Sequence, residues 1–277
     1  MNQQINIKKL THLADLQEVQ RLDHFIWTND SVPVHQTYTA VNNGGLILGA
    51  YDGQQLIGFS YGFPGFQRGM TYLCSHMLGI HPNYRKQGIG EKLKEAQKKE
   101  ALELGYSLIT WTFDPLESVN AYLNIHKLRG IGQRYLENHY GQMKDPLNNG
   151  LPSDRFIVYW WIKSGHVHND HLKSEENILA NHRLLSTAIN EQGLPFITND
   201  HFNRFNEEKT TWLVPIPYEI QKIKEHDLEL ALQWRYHTRK VFQQLFAKGY
   251  VAVDVHVSPK EHVSYYVLKK EETLIIE

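Results

Sequence analysis

The spacing of apolar residues in the first part of the chain changes from strand-like alternation to helical repeats and back. Ile5 to Ile7 alternates apolar and polar residues, which predicts a half-buried strand, whereas Asp15 to Trp27 repeats apolar residues at helical spacing. Two apolar runs, Leu46 to Tyr51 and Gln55 to Phe63, are joined by Asp52-Gly53, a pair typical of hairpin turns. The pattern therefore predicts a strand, a helix and then a hairpin.

Alternating strands and helices continue to about residue 163. The next predicted elements are strands at Met70 to Ile80, Ser107 to Phe113 and Phe156 to Ile162, and helices at Glu91 to Leu104 and Leu116 to Ile125. Around the first helix, the apolar residues near one face are Ile89, Leu93, Ala96 and Leu104. We expect that face to pack on a sheet. In the second helix, Asn120 and Asn124 are predicted to project from the same side.

Candidate chemistry lies in the turn Arg85-Lys86-Gln87-Gly88-Ile89-Gly90, between a strand and a helix. Backbone N–H groups at a helix start have no intrahelical partner, and the helix dipole adds partial positive charge there. Gly88 and Gly90 leave room for an anion and permit positive φ, and the cations of the turn and Lys92 add charge. A plain glycine turn on a solvated face is the structural alternative. The strand and helix around it favour a phosphate-binding turn.

This order of strand, Pro82, Arg-x-x-Gly-x-Gly and amphipathic helix resembles the GNAT superfamily of acetyl-CoA-dependent N-acetyltransferases. The matching residues are Arg85, Gly88 and Gly90. The dinucleotide fingerprint needs a third glycine, and the nucleoside-triphosphate loop needs a longer spacing that ends in Gly-Lys-Ser/Thr; the chain has neither. The resemblance implies an α/β fold with a mixed, mostly antiparallel central sheet and helices on both faces. It also implies acetyl-CoA as cosubstrate and no metal.

The resemblance further implies where CoA binds. The pantetheine arm would bond to the backbone of the fourth strand at Leu78 and Ile80, as an added strand does. A backbone N–H near Leu78 would stabilise the oxyanion that forms when an amine attacks. Asn120 and Asn124 would add contacts to the cofactor. The pyrophosphate would lie on the backbone of Arg85, Lys86, Gln87, Gly88, Ile89 and Gly90.

The group that protonates the departing thiolate is where the sequence departs from the family. Many members carry the pattern Asn-x-x-Ala-x-x-Leu-Tyr-x-Lys-x-Gly-Phe, which corresponds to Asn120 to Gly130 here. The tyrosine position then falls on Asn124 or Ile125. Either Tyr122, nearly a turn away, is the acid, or Asn124 holds CoA and water assists the departure of the thiolate. Tyr122 as a packed aromatic is the structural alternative.

His76 is the candidate base, because an imidazole exchanges a proton near neutral pH. Strand alternation places Cys74, His76 and Leu78 on one face and Ser75 and Met77 on the other. A satisfied core histidine is the alternative interpretation. Asp114, at the end of the fifth strand, is the second candidate base. Cys74 as a covalent nucleophile is the least favoured, because the family chemistry does not need one.

After residue 163 the sequence predicts a further folded α/β region without a second glycine turn. The predicted elements are a helix at Glu175 to Gln192, a strand at Thr211 to Ile216, a helix capped by Asp227 and ended by Gly249, and strands at Val251 to Val257 and Tyr265 to Leu268. We therefore predict a GNAT domain at residues 1–163 and a smaller structural or substrate-shaping domain at residues 164–277.

Composition excludes several classes of function. A net charge of −1 over 277 residues, without a long Lys or Arg run, argues against a nucleic-acid partner. No apolar stretch approaches the ~20 residues that span a bilayer, and the first residues lack a signal-peptide core, so we expect a cytoplasmic protein without a membrane partner. One cysteine cannot form an internal disulfide. The segment His166 to His171 lacks the spacing typical of metal sites and is predicted to be a solvated linker.

These observations predict an acetyl-CoA-dependent N-acyltransferase in which an amine attacks directly in a ternary complex. A small-molecule amine is favoured, because a histone-tail enzyme needs an acidic groove and the second domain suggests a closed pocket. One alternative is a non-catalytic acyl-CoA binding or sensing protein. Another is a phosphosugar or nucleotide binder that uses the same anion site. The sequence does not predict the oligomeric state.

Overall fold

The structure is a computed structural model that describes residues 5–27, 31–67, 69–143, 149–168 and 180–276. The chain packs into two units, residues 1–111 with 161–163, and residues 112–160 with 164–277. Residues 112–160 thus pack with the C-terminal region. The boundary between a GNAT domain and a second domain at residue 163 stays a prediction, because a packing unit and a family domain need not end at the same residue.

The first unit is a sheet with helices on both faces. Its strand order is β1-β2-β3-β4-β5, with antiparallel neighbours except for the parallel pair β4 and β5. The elements are β1 (Asn6–Lys9), α1 (Leu13–Trp27), α2 (Val34–Val41), β2 (Leu46–Asp52), β3 (Gln55–Gln67), β4 (Met70–Ile80), α3 (Ile89–Glu103) and β5 (Leu108–Phe113), of which the last two residues belong to the second unit. The predicted mixed, mostly antiparallel sheet is confirmed.

Successive residues of β3 show how the two faces are covered. Phe59 packs in a buried cluster with Leu16 and Val19 of α1. At the preceding residue, Gly58, a Cβ would lie 3.5 Å from Leu93 of α3. Because neighbouring side chains of a strand point to opposite faces, α1 and α3 lie on opposite sides of the sheet.

The buried stripe of α3 differs from the one predicted. It consists of Ile89, Leu93, Lys94, Gln97 and Ala101, spaced by about one helical turn. Leu104, predicted to lie on this face, is 40% exposed. The prediction counted apolar residues alone. It therefore missed that a lysine and a glutamine occupy the buried face.

The second unit contains a run of antiparallel strands, of order β7-β6-β11-β12-β10, and a separate hairpin of β8 and β9. A π-helical segment, Tyr122–Lys127, follows α4 directly. The elements are α4 (Ser118–Ala121), β6 (Ile131–Leu136), β7 (Arg155–Trp161), α5 (Gly165–His168), β8 (Leu185–Ile189), β9 (Pro195–Asp200), β10 (Thr211–Pro217), α6 (Ile220–His226), α7 (Leu228–Ala247), β11 (Tyr250–Ser258) and β12 (Val263–Lys270). Trp161 belongs to the first unit.

The long helix of this region was predicted correctly. The Asp227 side chain accepts a hydrogen bond from the Leu230 N–H at 2.9 Å, so it caps α7 as expected. Gly249 follows the end of α7 with φ of 77°, a conformation that glycine adopts without a Cβ clash. The strands predicted on either side of this helix are also present, as β10, β11 and β12.

The helix predicted at Glu175 to Gln192 is wrong where the structure describes it. Residues 175–179 lie outside the described residues, and Leu185–Ile189 is strand β8, paired with β9. The turn between them explains the error. The Asn190 side chain accepts hydrogen bonds from the N–H groups of Gln192 and Leu194, so the Gly193-Leu194-Pro195 sequence ends a hairpin turn and not a helix.

The solvated linker predicted at His166 to His171 is also wrong in part. Residues 169–171 lie outside the described residues, whereas Gly165–His168 forms α5 and His166 is only 2% exposed. Burial lowers the pKa of His166 to about 4. This histidine is therefore a neutral core side chain at physiological pH.

Candidate functional site

The turn before α3 presents several backbone donors to solvent. Lys86 and Gly88 adopt left-handed φ angles of 62° and 75°, and Gly88 is the N-cap of α3. Within the described part of the chain, the N–H groups of Lys86, Gln87 and Gly88 have no hydrogen-bond acceptor. A Cβ added at Gly88 would meet nothing within 4 Å, so the space beside the turn is open. An anion placed there meets these donors together with the first N–H groups of a 15-residue helix.

Hydrogen bonds fix this turn to the sheet beneath it. The His81 N–H donates to the carbonyl of Ile57 in β3 at 2.8 Å. The Arg85 Nε donates to the carbonyl of Ile80 at 3.3 Å, and the Gln87 side chain donates to the carbonyl of Asn83 at 3.2 Å. The turn is therefore held in shape while its cationic side chains stay exposed.

Strand β4 leads to the turn with one edge largely open. Its pairing with β3 continues to Ile80, which lies opposite Gly58, and Leu78 lies opposite Ser60. On the other edge, the pairing with β5 recorded for the described residues consists of Leu73 with Ile109 and Cys74 with Thr110. From Ser75 to Ile80, that edge can therefore accept an extended ligand through its backbone.

A β-bulge in β4 changes which way the candidate base points. Met77 lies opposite Tyr61 and Ser75 lies opposite Gly62, so His76 has no partner residue in β3. The His76 ring lies 5.9 Å from the Tyr61 ring, and Met77 packs on the same cluster that contains Tyr61. The predicted strict alternation is therefore wrong here: His76 and Met77 both face the α1 side.

The surroundings of His76 favour its neutral form. Although His76 is exposed as a whole residue, neighbouring protein atoms lower its pKa by desolvation, and the charge of Asp23 opposes this effect. Asp23 is itself 5% exposed, its pKa is raised by burial, and it accepts a hydrogen bond from the Val32 N–H at 3.1 Å. A neutral imidazole can accept a proton at neutral pH.

Burial also determines the protonation state of the Cys74 thiol. It raises the pKa of the Cys74 thiol, against the opposing charge of Lys94. The thiol is therefore protonated at neutral pH and is a poor nucleophile. Cys74 therefore stays the least favoured of the candidate groups.

Sequence reasoning missed the buried polar cluster around Lys94. The Lys94 ammonium donates to Ser75 Oγ at 2.9 Å and to Gln97 Oε1 at 3.2 Å, and it lies 3.5 Å from the centroid of the Trp111 ring. Burial lowers the pKa of Lys94 to about 7. The signal available in the sequence was the spacing of Lys94 and Gln97, which matches the stripe of Ile89 and Leu93.

The helix after β5, in the second unit, departs from the predicted geometry. Asn120 is exposed at the end of α4, whereas Asn124 in the π-helical segment is buried, so the two do not share a side. The cause is the wider turn of a π-helix, in which the Leu128 N–H donates to the carbonyl of Leu123, five residues back. Four residues therefore no longer complete one turn.

Tyr122 begins the π-helical segment beside a histidine that sequence reasoning also missed. The Tyr122 ring stacks on His126 with centroids 4.5 Å apart. His126 Nδ1 lies 2.7 Å from Oδ1 of the buried Asp254 in β11. Because His126 and Asp254 are 128 residues apart in sequence, no local pattern predicts this pair.

The second candidate base, Asp114, is already engaged within the second unit. One of its carboxylate oxygens pairs with the buried Arg235 of α7, and the other accepts the Leu116 N–H at 2.8 Å. The Nη1 atom of Arg155 lies 3.8 Å from Oδ2 of Asp114. Because both of its oxygens already have partners, Asp114 is a weaker candidate for proton transfer than His76.

Residues 13–125 match the model of the acetyltransferase (GNAT) family. This segment is a GNAT acetyltransferase domain. It begins at α1, contains the bulge of β4 and the turn before α3, and ends within the π-helical segment. None of the curated proteins compared with the chain matches it.

Solved structures similar to the chain include several acetyltransferases. Arabidopsis thaliana NAA60 in complex with a bisubstrate analogue has a TM-score of 0.45 and 16% identity, over 57% of this chain and 98% of that one. The Escherichia coli ribosomal-protein-S18-alanine N-acetyltransferase has a TM-score of 0.45 and 14% identity, over 57% and 94%. An aminoglycoside acetyltransferase from an uncultured soil metagenome, in complex with trehalose, has a TM-score of 0.37 and 21% identity, over 42% and 82%.

The GNAT domain thus divides its candidate residues between the two packing units. The first unit brings together His76, Leu78, Ile80 and the turn from Arg85 to Gly90. The second contains Asn120, Tyr122 and Asn124. Among the residues that the structure describes, no group of three or more His, Cys, Asp or Glu side chains could hold a metal ion. Among the described helices, none has an apolar stretch of the length that spans a bilayer.

Proposed function

We propose that the protein is an acetyl-CoA-dependent N-acetyltransferase that passes the acetyl group directly to an amine in a ternary complex. The observation that carries this proposal is the continuity of two features in the first unit. The open edge of β4 runs from Ser75 to Ile80, and the donor-rich turn at Lys86 to Gly88 follows it within six residues. Together they fit a ligand with an extended amide-containing arm and a diphosphate.

In this proposal each part of CoA has its own partner. The pyrophosphate binds the backbone of Lys86, Gln87, Gly88, Ile89 and Gly90, with the exposed Arg85 adding charge. The pantetheine amides bond to the backbone of β4 at Leu78 and Ile80. Of the two asparagines we propose Asn120 for a further contact, because it is exposed whereas Asn124 is buried.

The acetyl transfer then needs two protons to leave the nitrogen and one to reach the sulfur. His76, neutral at physiological pH, removes a proton from the ammonium of the acceptor, and the free amine attacks the thioester carbonyl. The nitrogen–carbon bond forms, the oxyanion is held by a backbone N–H near Leu78, and the carbon–sulfur bond breaks. The nitrogen loses its second proton to water, and the thiolate takes a proton from water or from Tyr122, which regains it from water.

We propose a small-molecule amine as the acceptor. We also propose that the protein acts in the cytoplasm. The net charge of −1 gives no sign of the acidic surface that a basic peptide tail would require. More than half of the chain lies outside the family match, which leaves a large region available to shape an acceptor pocket.

Thiol release tests this proposal against the rival of a non-catalytic acyl-CoA sensor. The purified protein is incubated with acetyl-CoA, and free CoA thiol is measured with and without a panel of small amines and a lysine-containing peptide. Release that depends on an amine supports the transferase. Release that no amine stimulates, by a protein that still binds acetyl-CoA, contradicts it and favours the sensor.

A further inference from the structure

Lys94 is a buried amine without a counter-ion. Its residue is 2% exposed, and among the described residues no carboxylate forms an ion pair with it. Its hydrogen-bond partners are the neutral Ser75 and Gln97, and the Nε2 of Gln97 itself is buried without a partner in the described part of the chain. A charged group buried without a counter-ion lowers the stability of the fold. Such a group is therefore a candidate for a functional role.

The location of Lys94 ties it to the opening of the sheet. Ser75 directly follows Cys74, the last β4 residue that is paired with β5. Trp111 directly follows Thr110, the corresponding residue of β5. Lys94 contacts both Ser75 and Trp111, so a single side chain bridges the first residues beyond the point where the pairing ends.

Lys94 also links this opening to the two features proposed to act on the substrate. It lies in the second turn of α3, the helix whose N-terminus forms the donor-rich turn at Gly88. Its partner Ser75 is adjacent to His76 in the bulge. A hydrogen bond between α3 and β4 at this place restrains the bulge relative to the turn.

We propose that Lys94 is a positioning residue for the acyl-CoA site, which holds the bulged part of β4 against α3 and sets the width of the opening between β4 and β5. The inference rests on the proposed function, and Lys94 itself does not touch the reacting atoms. Cys74 of β4 is the titratable group that acts on Lys94, while β5 contributes Trp111 and α3 contributes Gln97, neither of which ionises.

The two protonation states of Lys94 do not make the same contacts. The ammonium form donates to both partners and is attracted to the face of Trp111, whereas the neutral amine loses the attraction to the ring. Because the pKa of Lys94 is about 7, the balance changes within the physiological range. We therefore expect CoA affinity to depend on pH near neutrality through this residue.

The test compares Lys94→Met, which keeps most of the volume, with Lys99→Met on the exposed face of the same helix. Calorimetric titration of acetyl-CoA is repeated at several values between pH 6 and pH 8.5. We expect Lys94→Met to weaken binding about fivefold at pH 7, because the hydrogen bond to Ser75 that restrains β4 is lost, and to flatten its pH dependence. Lys99→Met should retain wild-type affinity and pH response. An unchanged affinity and pH profile in Lys94→Met would overturn the proposal.

A second readout is independent of the cofactor. Hydrogen exchange of the ligand-free protein reports the backbone protection of residues 75–80 in each variant. Faster exchange in Lys94→Met and in Ser75→Ala, but not in Lys99→Met, supports the positioning role; equal exchange in all proteins overturns it. A wild-type protein that binds no acetyl-CoA would overturn the proposed function, and the exchange data would then decide separately whether Lys94 holds β4.

Discussion

Lys94 in α3 and Ser75 in β4 are joined by a hydrogen bond of 2.9 Å in the interior of the first unit. The pair connects the helix that begins at the donor-rich turn with the strand that contains the candidate base. Its lysine lacks a carboxylate partner among the described residues, so burial lowers the pKa of the amine to about 7. A structural feature of the core is therefore sensitive to pH.

The first prediction concerns the stability of Lys94→Met. The folded pKa of about 7 lies below the ordinary value of 10.5, so the unfolded chain binds the proton more tightly between these values. The wild-type free energy of unfolding should rise as pH increases from 7 toward 10.5, whereas Lys94→Met has no such dependence at this position. The unfolding free energy of Lys94→Met minus that of the wild type should therefore fall by on the order of 4 kcal/mol between pH 6 and pH 10.

Urea unfolding of both proteins at pH 6, 8 and 10 measures this difference directly, since other titrating groups are shared. Lys99→Met serves as the control, because this lysine is exposed on the same helix. A stability difference between wild type and Lys94→Met that stays constant with pH would show that Lys94 is not a buried titrating amine.

The second prediction concerns His76 as the proton acceptor. His76→Gln should reduce kcat by on the order of 100-fold, because general base catalysis contributes at least that much, while CoA affinity stays within twofold of wild type. The wild-type kcat, measured with saturating acetyl-CoA so that the pH dependence of CoA affinity does not enter, should fall only below pH 6.5, since desolvation holds the pKa of His76 under its ordinary value. Steady-state thiol release over pH 5 to 9 provides both measurements. Full activity in His76→Gln would assign the base elsewhere.

The third prediction extends this to Asp23, whose negative charge raises the pKa of His76 and so opposes the effect of burial. Asp23→Asn removes that charge. The acidic limb of the wild-type pH profile should therefore move to lower pH, without a large change in the activity at pH 8. A limb that stays in place would mean that His76 does not control the profile.

The fourth prediction concerns Tyr122 as the acid for the departing thiolate. Tyr122→Phe keeps the ring that stacks on His126 and removes only the hydroxyl. If the hydroxyl donates the proton, kcat should fall at least about 10-fold with no change in unfolding free energy. Single-turnover thiol release measures the chemical step alone. An unchanged rate would leave the departure of the thiolate to water.

The fifth prediction concerns the His126–Asp254 pair as a structural contact of the second unit. His126→Ala removes a 2.7 Å hydrogen-bond partner from a carboxylate that is 3% exposed. We expect a loss of about 1 kcal/mol in unfolding free energy, the usual net contribution of one hydrogen bond, because the same carboxylate still accepts the Val255 N–H. His237→Ala, on the exposed side of α7, is the matched control and should be nearly neutral. Equal urea midpoints for the two variants would contradict this assignment.

Features that depend on neighbouring residues in sequence were predictable. The turn from Arg85 to Gly90 between a strand and a helix was one, and the cap of α7 by Asp227 was another, because both follow from local backbone chemistry. The family match over residues 13–125 agrees with the resemblance that rested on that turn.

Features that depend on distant partners were not predictable. The bulge at His76 arises from the register of β4 against β3, and the pairing of Leu185–Ile189 with β9 overrides a helical pattern. Lys94 was missed for a different reason. Its burial contradicts the usual rule that lysine stays exposed, so an apolar pattern assigns it to the surface.

Calorimetric titration of acetyl-CoA into the wild-type protein, Gly88→Trp and Gly105→Trp tests the central claim most directly. Both glycines flank α3, both have positive φ, and a Cβ at either meets nothing within 4 Å, so the two variants bear comparable backbone strain. The account predicts that wild type and Gly105→Trp bind acetyl-CoA, whereas Gly88→Trp, with an indole over the donors, does not. Failure of the folded wild type to bind, or equal binding by all three proteins, would contradict it.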